Sequence, residues 1–429
     1  MTRRLAHRRT RVIQVLPALC LVTAVAAVAA FASHANAAGT KTQAGGNVTI
    51  WTWQPPNSDY VNIFQAAGDR YKGAGGGSTT INSLDFNSYF TKFKTASAGG
   101  DVPDLMEMSW TGDYHDVINA GDLLPLDSYL KDFPKFFAPT LNSLRYKGHV
   151  YGVPLDVNTL TIGYNKAIFQ KLHLKVPKTF QQLLALAKPI RKAGYQPLSV
   201  NLKDGWPGGD LWFAQVAYTD KSENAIRQAE QGAVKWTDPR FVQATANVKK
   251  LQTSGLLANG ANSLDFTSAI SLFARGQAAM TYPVGNFDTG LIDQASHGKV
   301  KYDLFAVPPP NVGQKPLATG GPAIIWSIPK NAKNPQGAIA VLKAMMSAQG
   351  TTALVDKNYI PAYPADISSN KSPIYHRMVS FQATAQTRAI FIPNVYNTLL
   401  NGVSALLNGT TTPTRLTQGM ERAYKSTPH

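Results

Sequence analysis

The chain has 429 residues, of which 44% are hydrophobic and 16% are charged, and its formal net charge at pH 7 is +17. This composition supplies enough apolar residues for packed cores, and the length suggests two or three domains. The single cysteine, Cys20, excludes a disulfide framework. No dense run of lysine and arginine follows the first eleven residues, so the basic charge does not indicate a nucleic-acid-binding protein.

The N-terminus has the pattern of a secretory signal peptide. Residues 3–11 contain five arginines, residues 15–32 are almost wholly apolar, and Ala35-Asn36-Ala37 offers a small-residue cleavage site. We therefore predict that residues 1–37 are removed, which would lower the net charge to +12 because they carry no acidic residue. The alternatives are a membrane anchor or twin-arginine export. A lipid anchor at Cys20 is disfavoured because Leu19 precedes it.

Residues 38–46 are small and polar, which predicts a flexible tether. Strands and helices then alternate, and this order predicts a parallel sheet of an α/β fold. The predicted strands are 48–53, 79–84 and 104–108, and the predicted helices are 60–71 and 88–98. Glycine-rich residues 73–77 predict a turn, since no Lys-Ser or Lys-Thr pair of a phosphate-binding loop follows them.

The alternating pattern restarts beyond Pro154. Residues 160–164, 302–307 and 323–328 are predicted strands. The predicted helices span 179–193, with Thr179 as the N-cap, then 238–254, 335–348 and the region from Val395 onward. A second structural unit is therefore expected to interrupt the first.

Two sequence blocks resemble a known family. The first is Tyr146-Lys147-Gly148-His149-Val150-Tyr151-Gly152-Val153-Pro154, followed ten residues later by Tyr164-Asn165-Lys166-Ala167-Ile168-Phe169. The second is Phe273-Ala274-Arg275-Gly276-Gln277-Ala278-Ala279-Met280-Thr281, followed by Gly285-Asn286-Phe287. In this order they resemble the extracellular solute-binding proteins, the maltose-binding-like receptors of ABC importers. The resemblance extends from about Asn47 to the end of the chain.

The resemblance implies an α/β, type II periplasmic-binding-protein fold with two interleaved lobes joined by a hinge. We expect residues 47–154 plus 310–362 in the N-terminal lobe and 155–309 plus 363–429 in the C-terminal lobe. The implied protein is an exported monomer at the extracellular face of the membrane or in the periplasm. It would capture a sugar or oligosaccharide by hinge closure and deliver it to ABC permease subunits, with no cofactor.

The ends of the predicted strands supply candidate ligand contacts. In open α/β sheets, ligands bind at the carboxyl ends of the strands. Trp53 and Gln54 follow the first strand, whereas Ser109, Trp110 and Asp113 follow the third. An aromatic ring covers the C–H face of a sugar while amides and carboxylates bind its hydroxyls. Core packing is the alternative for each tryptophan, and we expect it for Trp51 and Trp212.

Further candidates come from the hinge and the second lobe by resemblance. Asp156 and Asn158 follow the first crossing, with capping of the next turn as the alternative. Trp206 is expected in an exposed loop spanning residues 204–209. The remaining candidates align with family positions that approach the ligand: Asn286, Phe287, Gly320, Gly321, Tyr359, Tyr396 and Asn397.

Catalytic and metal-binding motifs are missing from the sequence. It contains no His-Glu-x-x-His pattern and no Gly-x-Ser-x-Gly elbow. We therefore predict a binding protein without catalytic or metal-ligating residues. A secreted glycoside hydrolase remains an alternative, because its carboxylate pair meets only in three dimensions. A receptor for polyamines or phosphate esters is the other alternative, although either ligand would require several cleft carboxylates or arginines.

Overall fold

The computed structural model describes residues 45–109, 112–220, 225–382, 385–387 and 392–427. The predicted signal peptide and most of the predicted tether lie outside these residues. Within these ranges, no single helix is long and apolar enough to span a bilayer. By length and composition alone, the bent pair Pro335–Met345 and Ala348–Asp356 passes the same test, with an angle of 57° between the two helices.

The strands of the described residues are β1 (Val48–Thr52), β2 (Thr79–Ser83), β3 (Leu105–Met108), β4 (Arg145–Tyr146), β5 (His149–Val150), β6 (Val153–Pro154), β7 (Asp156–Asn165), β8 (Gln196–Val200), β9 (Ala278–Val284), β10 (Tyr302–Phe305), β11 (Thr319–Pro322), β12 (Ile325–Ser327), β13 (Ile360–Pro361) and β14 (Gln386–Thr387).

The α-helices of the same residues are α1 (Asp59–Gly73), α2 (Phe86–Gly99), α3 (Gly112–Asn119), α4 (Ala138–Ser143), α5 (Lys166–Lys171), α6 (Phe180–Ala185), α7 (Ala187–Lys192), α8 (Trp206–Thr219), α9 (Ala225–Glu230), α10 (Pro239–Thr253), α11 (Phe266–Ala274), α12 (Asn286–Ser296), α13 (Pro335–Met345), α14 (Ala348–Asp356), α15 (Pro373–Gln382), α16 (Pro393–Leu407) and α17 (Pro413–Lys425).

Two large sheets organise the fold. The first sheet has the strand order β2-β1-β3-β12-β6, and the second has the order β14-β11-β7-β9-β8, with β10 and β13 also paired to β7. Strand β1 runs parallel to β2 and β3, whereas β12 runs antiparallel to β3 and β6. We call the parts of the chain built on these sheets the first and the second lobe.

The chain passes between the sheets through very short connections. Strand β6 ends at Pro154 in the first sheet, and β7 begins at Asp156 in the second. The return occurs between Pro322 of β11 and Ile325 of β12. It therefore lies about a dozen residues later than the predicted crossing near residue 310. The predicted outer limits of the lobes otherwise stay predictions.

The predicted strands and helices between residues 48 and 108 are confirmed to within two residues, and the starts of both helices follow from local capping. Ser58 accepts a hydrogen bond from the backbone N–H of Val61 at the start of α1, and Asp85 does the same for Ser88 at the start of α2. Helix α2 ends at Gly100, whose φ of +73° is the left-handed conformation that glycine adopts readily.

Three predictions about the later elements were wrong. The helix predicted over 179–193 is two short helices, α6 and α7, because Pro189 lacks the N–H that would bond the carbonyl of Ala185. The helix predicted over 335–348 ends at Met345, and Ser347 caps a new helix, α14. The predicted exposed loop over 204–209 is instead mostly the first turn of α8, which begins at Trp206 with a proline in its first turn.

Three buried clusters form the interior. One lies in the second lobe around Trp212, Trp236 and Phe241, and another lies in the first lobe around Tyr89 and Phe93. Trp212 is in the core as predicted, whereas Trp51 is only half-buried at the edge of the first-lobe cluster. The third cluster contains residues of both lobes and continues across the hinge. Polar groups at the hinge are therefore buried, where they require hydrogen-bond partners.

Candidate functional site

The carboxyl ends of three parallel strands meet at one edge of the first sheet. Strand β1 pairs in parallel with β2 and with β3, so Thr52, Ser83 and Met108 end on the same side. Trp53 follows β1 and Ser109 follows β3 at this edge. The structure therefore brings these two predicted contacts to neighbouring strands, which is the geometry that a crevice site requires.

Glu107 organises the turn that leaves β1. Its carboxylate oxygens accept hydrogen bonds from the hydroxyl of Thr52, from the backbone N–H of Trp53 at 3.3 Å and from the Gln54 side-chain amide at 2.7 Å. Glu107 has no exposed surface, and this burial raises its pKa to about 8 although the three hydrogen bonds oppose the rise. Gln54 is 8% exposed and bonded to Glu107, which favours support of the turn, and its ligand contact stays a prediction.

Trp53 keeps an exposed part at the same edge. Its ring is half-buried and makes edge-on contacts with Phe86 and Tyr89, at centroid distances of 5.5 and 5.0 Å. Ser109 is also half-buried. Trp110 lies outside the described residues, and so does the side chain of Asp113, so both stay predictions. The described part of this edge is therefore aromatic with a hydroxyl neighbour.

Asp156, the first residue of β7, is an internal hinge residue. It has no exposed surface, and it accepts hydrogen bonds from the Tyr60 hydroxyl at 2.6 Å and the Ile324 N–H at 3.0 Å. Burial raises the pKa of Asp156 to about 6, and the bonds from Tyr60, Ile324 and Asn286 oppose that rise. The carboxylate is thus bonded to groups inside the protein, which favours a structural role, and its ligand contact stays a prediction.

Asn158 and Asn286 bond each other within the second lobe, close to the hinge. The Oδ1 atom of Asn158 accepts a hydrogen bond from the Asn286 N–H at 2.9 Å, and the Asn286 side-chain amide donates to the carbonyl of Val157. Asn286 is only 2% exposed, whereas Asn158 is half-buried. These bonds favour a role for Asn286 in fixing the start of α12; its ligand contact stays a prediction, and Asn158 remains a proposed contact.

A column of stacked rings accounts for two other predicted contacts. Phe287 lies between Phe266 and Tyr60, with ring centroids 6.2 and 6.3 Å away and planes within 18° of parallel. Tyr60 in turn stacks on Tyr359 at 4.0 Å, and Tyr359 is 2% exposed. Phe287 is half-buried and Tyr359 is buried, so the stacking favours core packing for both rings, and their ligand contacts stay predictions.

Gly320 and Gly321 are required by strand packing. They lie in β11 opposite Thr159 and Asn158 of β7, and both are buried. A Cβ atom on Gly320 would stand 2.5 Å from the carbonyl oxygen of Asn158, and Gly321 has a φ of +155° that other residues rarely adopt. Close packing on β7 therefore accounts for both glycines, and the approach of this backbone to a ligand stays a prediction.

Trp206 and Tyr396 lie on two helices of the second lobe that pack together. A Cβ atom on Gly209 of α8 would stand 2.7 Å from Leu400 of α16, and Tyr396 is one turn before Leu400 on the same face. Trp206 and Tyr396 are half-buried, and Asn397 is exposed. Helix α16 also contacts α3 of the first lobe, so this region faces the other lobe.

Sequence reasoning missed Glu107, Phe86 and Tyr60. A signal existed for Glu107, because a carboxylate between Met106 and Met108 in a buried strand needs partners. Phe86 and Tyr60 gave no signal, since each is one of the first two residues of a helix and its sequence position does not show what the ring contacts. Within the described ranges, no group of three histidine, cysteine, aspartate or glutamate side chains is placed to hold a metal ion.

Comparison with known proteins identifies the family. Residues 56–352 match the model described as bacterial extracellular solute-binding protein. The multiple sugar-binding protein of Streptococcus mutans serotype c is 25% identical over 289 residues, which cover 66% of this chain and 67% of the relative. The maltotriose-binding protein of Pyrococcus abyssi is 28% identical over 189 residues, which cover 42% of this chain and 39% of the relative. The second match thus spans well under half the length of that relative.

Solved structures agree on the architecture. A chitin oligosaccharide binding protein superposes with a TM-score of 0.75 at 21% identity, over 88% of this chain and 98% of that chain. This similarity shows the fold: two α/β lobes of the type II periplasmic-binding-protein class, interleaved and joined by a hinge.

Proposed function

We propose that this chain, which belongs to the bacterial extracellular solute-binding protein family, is the substrate receptor of an ABC importer for a sugar or oligosaccharide. The observation that carries the proposal is the set of partly exposed aromatic rings on both lobes, Trp53 on the first and Trp206 and Tyr396 on the second. Aromatic rings suit the C–H faces of sugars, and neighbouring Ser109, Asn158 and Asn397 suit the hydroxyls. Trp110 and Asp113 complete the proposed set.

The names of the relatives support this chemistry. The Streptococcus mutans relative is a multiple sugar-binding protein, and the Pyrococcus abyssi relative is a maltotriose-binding protein. The relatives are binding proteins, which supports a receptor that releases its ligand unchanged. Glu107 and Asp156 are two carboxyl groups whose charges interact, and both have no exposed surface. Neither would therefore reach a glycosidic bond, unlike the carboxylate pair of a glycoside hydrolase.

The proposed mechanism is closure about the two short crossings. A ligand that touches rings on both lobes stabilises the closed arrangement over the open one, because it gains contacts only there. The closed monomer would then dock on the permease subunits. The predicted signal peptide and the family support export, and the location we propose for the receptor is the extracellular face of the membrane or the periplasm.

A thermal-shift screen tests the proposal. A ligand at 100 times its dissociation constant adds about 2.7 kcal/mol of stability. We expect one class of mono- or oligosaccharide to raise the melting temperature, while polyamines and phosphate esters do not. Stabilisation by spermidine or a sugar phosphate alone would contradict the sugar assignment. The best sugar is then incubated with the protein and analysed by chromatography, where cleavage in proportion to protein would contradict the receptor assignment.

A further inference from the structure

Phe86 is an exposed aromatic residue that its own helix does not need. It is the first residue of α2, and its side chain is 53% exposed. The N-terminus of α2 is capped by Asp85, whose side chain accepts a hydrogen bond from the Ser88 N–H at 3.1 Å. The ring of Phe86 therefore contributes little to starting the helix, and half of its apolar surface stays in water at a cost in free energy.

Phe86 is part of a group of three partly exposed rings. Its centroid lies 5.5 Å from that of Trp53 with an angle of 80° between the planes, and Phe90 lies 6.0 Å from Trp53 at 53°. Tyr89 is fully buried and supports Trp53 from below at 5.0 Å. We call Trp53, Phe86 and Phe90 the aromatic corner. Tyr89 contacts Trp53 and Phe90, and Trp53 in turn contacts Phe86, so the corner is built on a buried ring.

The aromatic corner continues the candidate site outward. Strand β2 is the outermost strand of the first sheet, next to β1, and Phe86 follows the end of β2 by three residues. The corner thus extends from the exit of β1 toward the sheet edge that is farthest from β6 and the hinge. Neighbouring strands are about 4.8 Å apart. Rings that follow the carboxyl ends of two neighbouring strands are therefore separated by roughly the length of one sugar residue.

We propose that the aromatic corner is a subsite for one further sugar residue, and that the receptor therefore takes an oligosaccharide rather than a monosaccharide. This inference rests on the proposed sugar-binding function. Two rings at a steep angle cover a C–H face and an edge of one pyranose, while its hydroxyls remain in water. A chain that enters between the lobes would reach the corner beyond Trp53, on the side away from the hinge.

Calorimetric titration with oligosaccharide series tests the subsite. The probes are the cello-, malto-, xylo- and chito-oligosaccharides from one to five residues, with wild type, Phe86→Ala, Phe86→Trp and Tyr195→Ala. Tyr195 is a half-buried aromatic residue that immediately precedes β8 in the second sheet. It stands at the amino end of a strand, whereas Trp53 and Phe86 follow the carboxyl ends of strands. Tyr195→Ala is therefore the matched control.

In the series that binds, we expect one added residue to raise wild-type affinity by about tenfold. Phe86→Ala should remove most of this increment and leave shorter sugars within about twofold of wild type, while Phe86→Trp restores it and Tyr195→Ala keeps it. The subsite is overturned if Phe86→Ala keeps the full gain in affinity from the added sugar residue, or if it loses the same affinity for every oligosaccharide length. Equal loss would instead indicate that the ring serves the whole site or the docking of another protein. If no saccharide binds wild type, the proposed function fails, and the subsite fails with it.

Discussion

Replacing Glu107 with glutamine should remove a pH-dependent loss of stability that the wild-type protein shows between pH 6 and 8. Glu107 has no exposed surface, and burial raises its pKa from the ordinary 4.5 to about 8. The raised pKa means that the folded protein holds a proton which the unfolded chain has already released. Stability from this group is thus fully present below pH 4.5 and is lost as the pH rises through 8.

The magnitude follows from the two pKa values. Between them the free energy of unfolding falls by about 1.36 kcal/mol per pH unit, so the loss from pH 6 to 8 is at most about 3 kcal/mol. For a chain of this size that corresponds to roughly 3 °C in melting temperature. The window is chosen above the pKa of Asp156, which is raised to about 6 and contributes a loss of the same sign at lower pH.

The groups that face Glu107 do not cancel this effect. The carboxylate of Asp156 raises the Glu107 pKa further. The phenols of Tyr60 on α1 and Tyr89 on α2 have pKa values raised above their usual 10, so they stay neutral throughout the window. Glutamine fits the site when its side-chain oxygen accepts from the Thr52 hydroxyl and the Trp53 N–H, and its NH2 group donates to the side-chain oxygen of Gln54 after the Gln54 amide turns over.

The assay is thermal unfolding of both proteins at pH 6, 7 and 8 at fixed ionic strength. The difference in melting temperature, Glu107→Gln minus wild type, should grow by roughly 3 °C across the series. Asp101→Asn is the control, since its side chain is 87% exposed and its effect should be the same at each pH. A difference for Glu107→Gln that stays constant from pH 6 to 8 would refute the reasoning, because it would mean that the carboxyl is not held neutral.

Two further predictions concern the ligand. Tyr396→Ala should raise the dissociation constant by roughly ten- to a hundredfold with little change in the ligand-free melting temperature. Trp212→Ala should instead cost about 3–5 kcal/mol of stability, because Trp212 has no exposed surface and bonds Thr245. Calorimetry with melting curves separates the two, and a large melting loss for Tyr396→Ala would make Tyr396 a core residue. Saturating sugar should also lower the radius of gyration in small-angle scattering, whereas an unchanged radius would contradict hinge closure.

The fold could be predicted from the sequence wherever a single pattern determined the position of a helix or strand. Period-two and helical patterns located the strands and helices of the first lobe, and the capping residues Ser58 and Asp85 set the helix starts. The errors arose where two signals conflicted. Pro189 interrupts an apolar helical pattern, and the glycines before Leu211 suggest a loop although α8 uses them to approach α16 closely. Tertiary packing decided those cases, and periodicity contains no information about it.

The site residues were harder to predict than the fold. The position of a residue after a strand does not show whether its side chain faces solvent or bonds another part of the protein. Trp53 and Gln54 are adjacent in sequence, yet Trp53 stays half-exposed while Gln54 turns inward to Glu107. Asp156 and Asn158 are two residues apart on β7, and only Asp156 is fully buried. Each outcome depends on a partner more than fifty residues away in sequence, which strand and motif patterns cannot identify.

The burial of the hinge has a consequence for where ligand contacts lie. Asp156 is bonded to Tyr60 of the first lobe, to Ile324 of the return crossing and to Asn286 of the second lobe. A ligand that bonded Asp156 would first have to break these contacts, which costs about 1–3 kcal/mol for each buried group left unpaired. Ligand contacts should therefore lie away from the hinge axis, on the half-exposed rings of Trp53 and Tyr396.

Displacement in a rotation grows with distance from its axis, so these rings move farther relative to each other than the hinge residues do during the proposed closure. Sugar affinity should consequently be most sensitive to substitutions at the rim, while substitutions at the hinge should act first on stability.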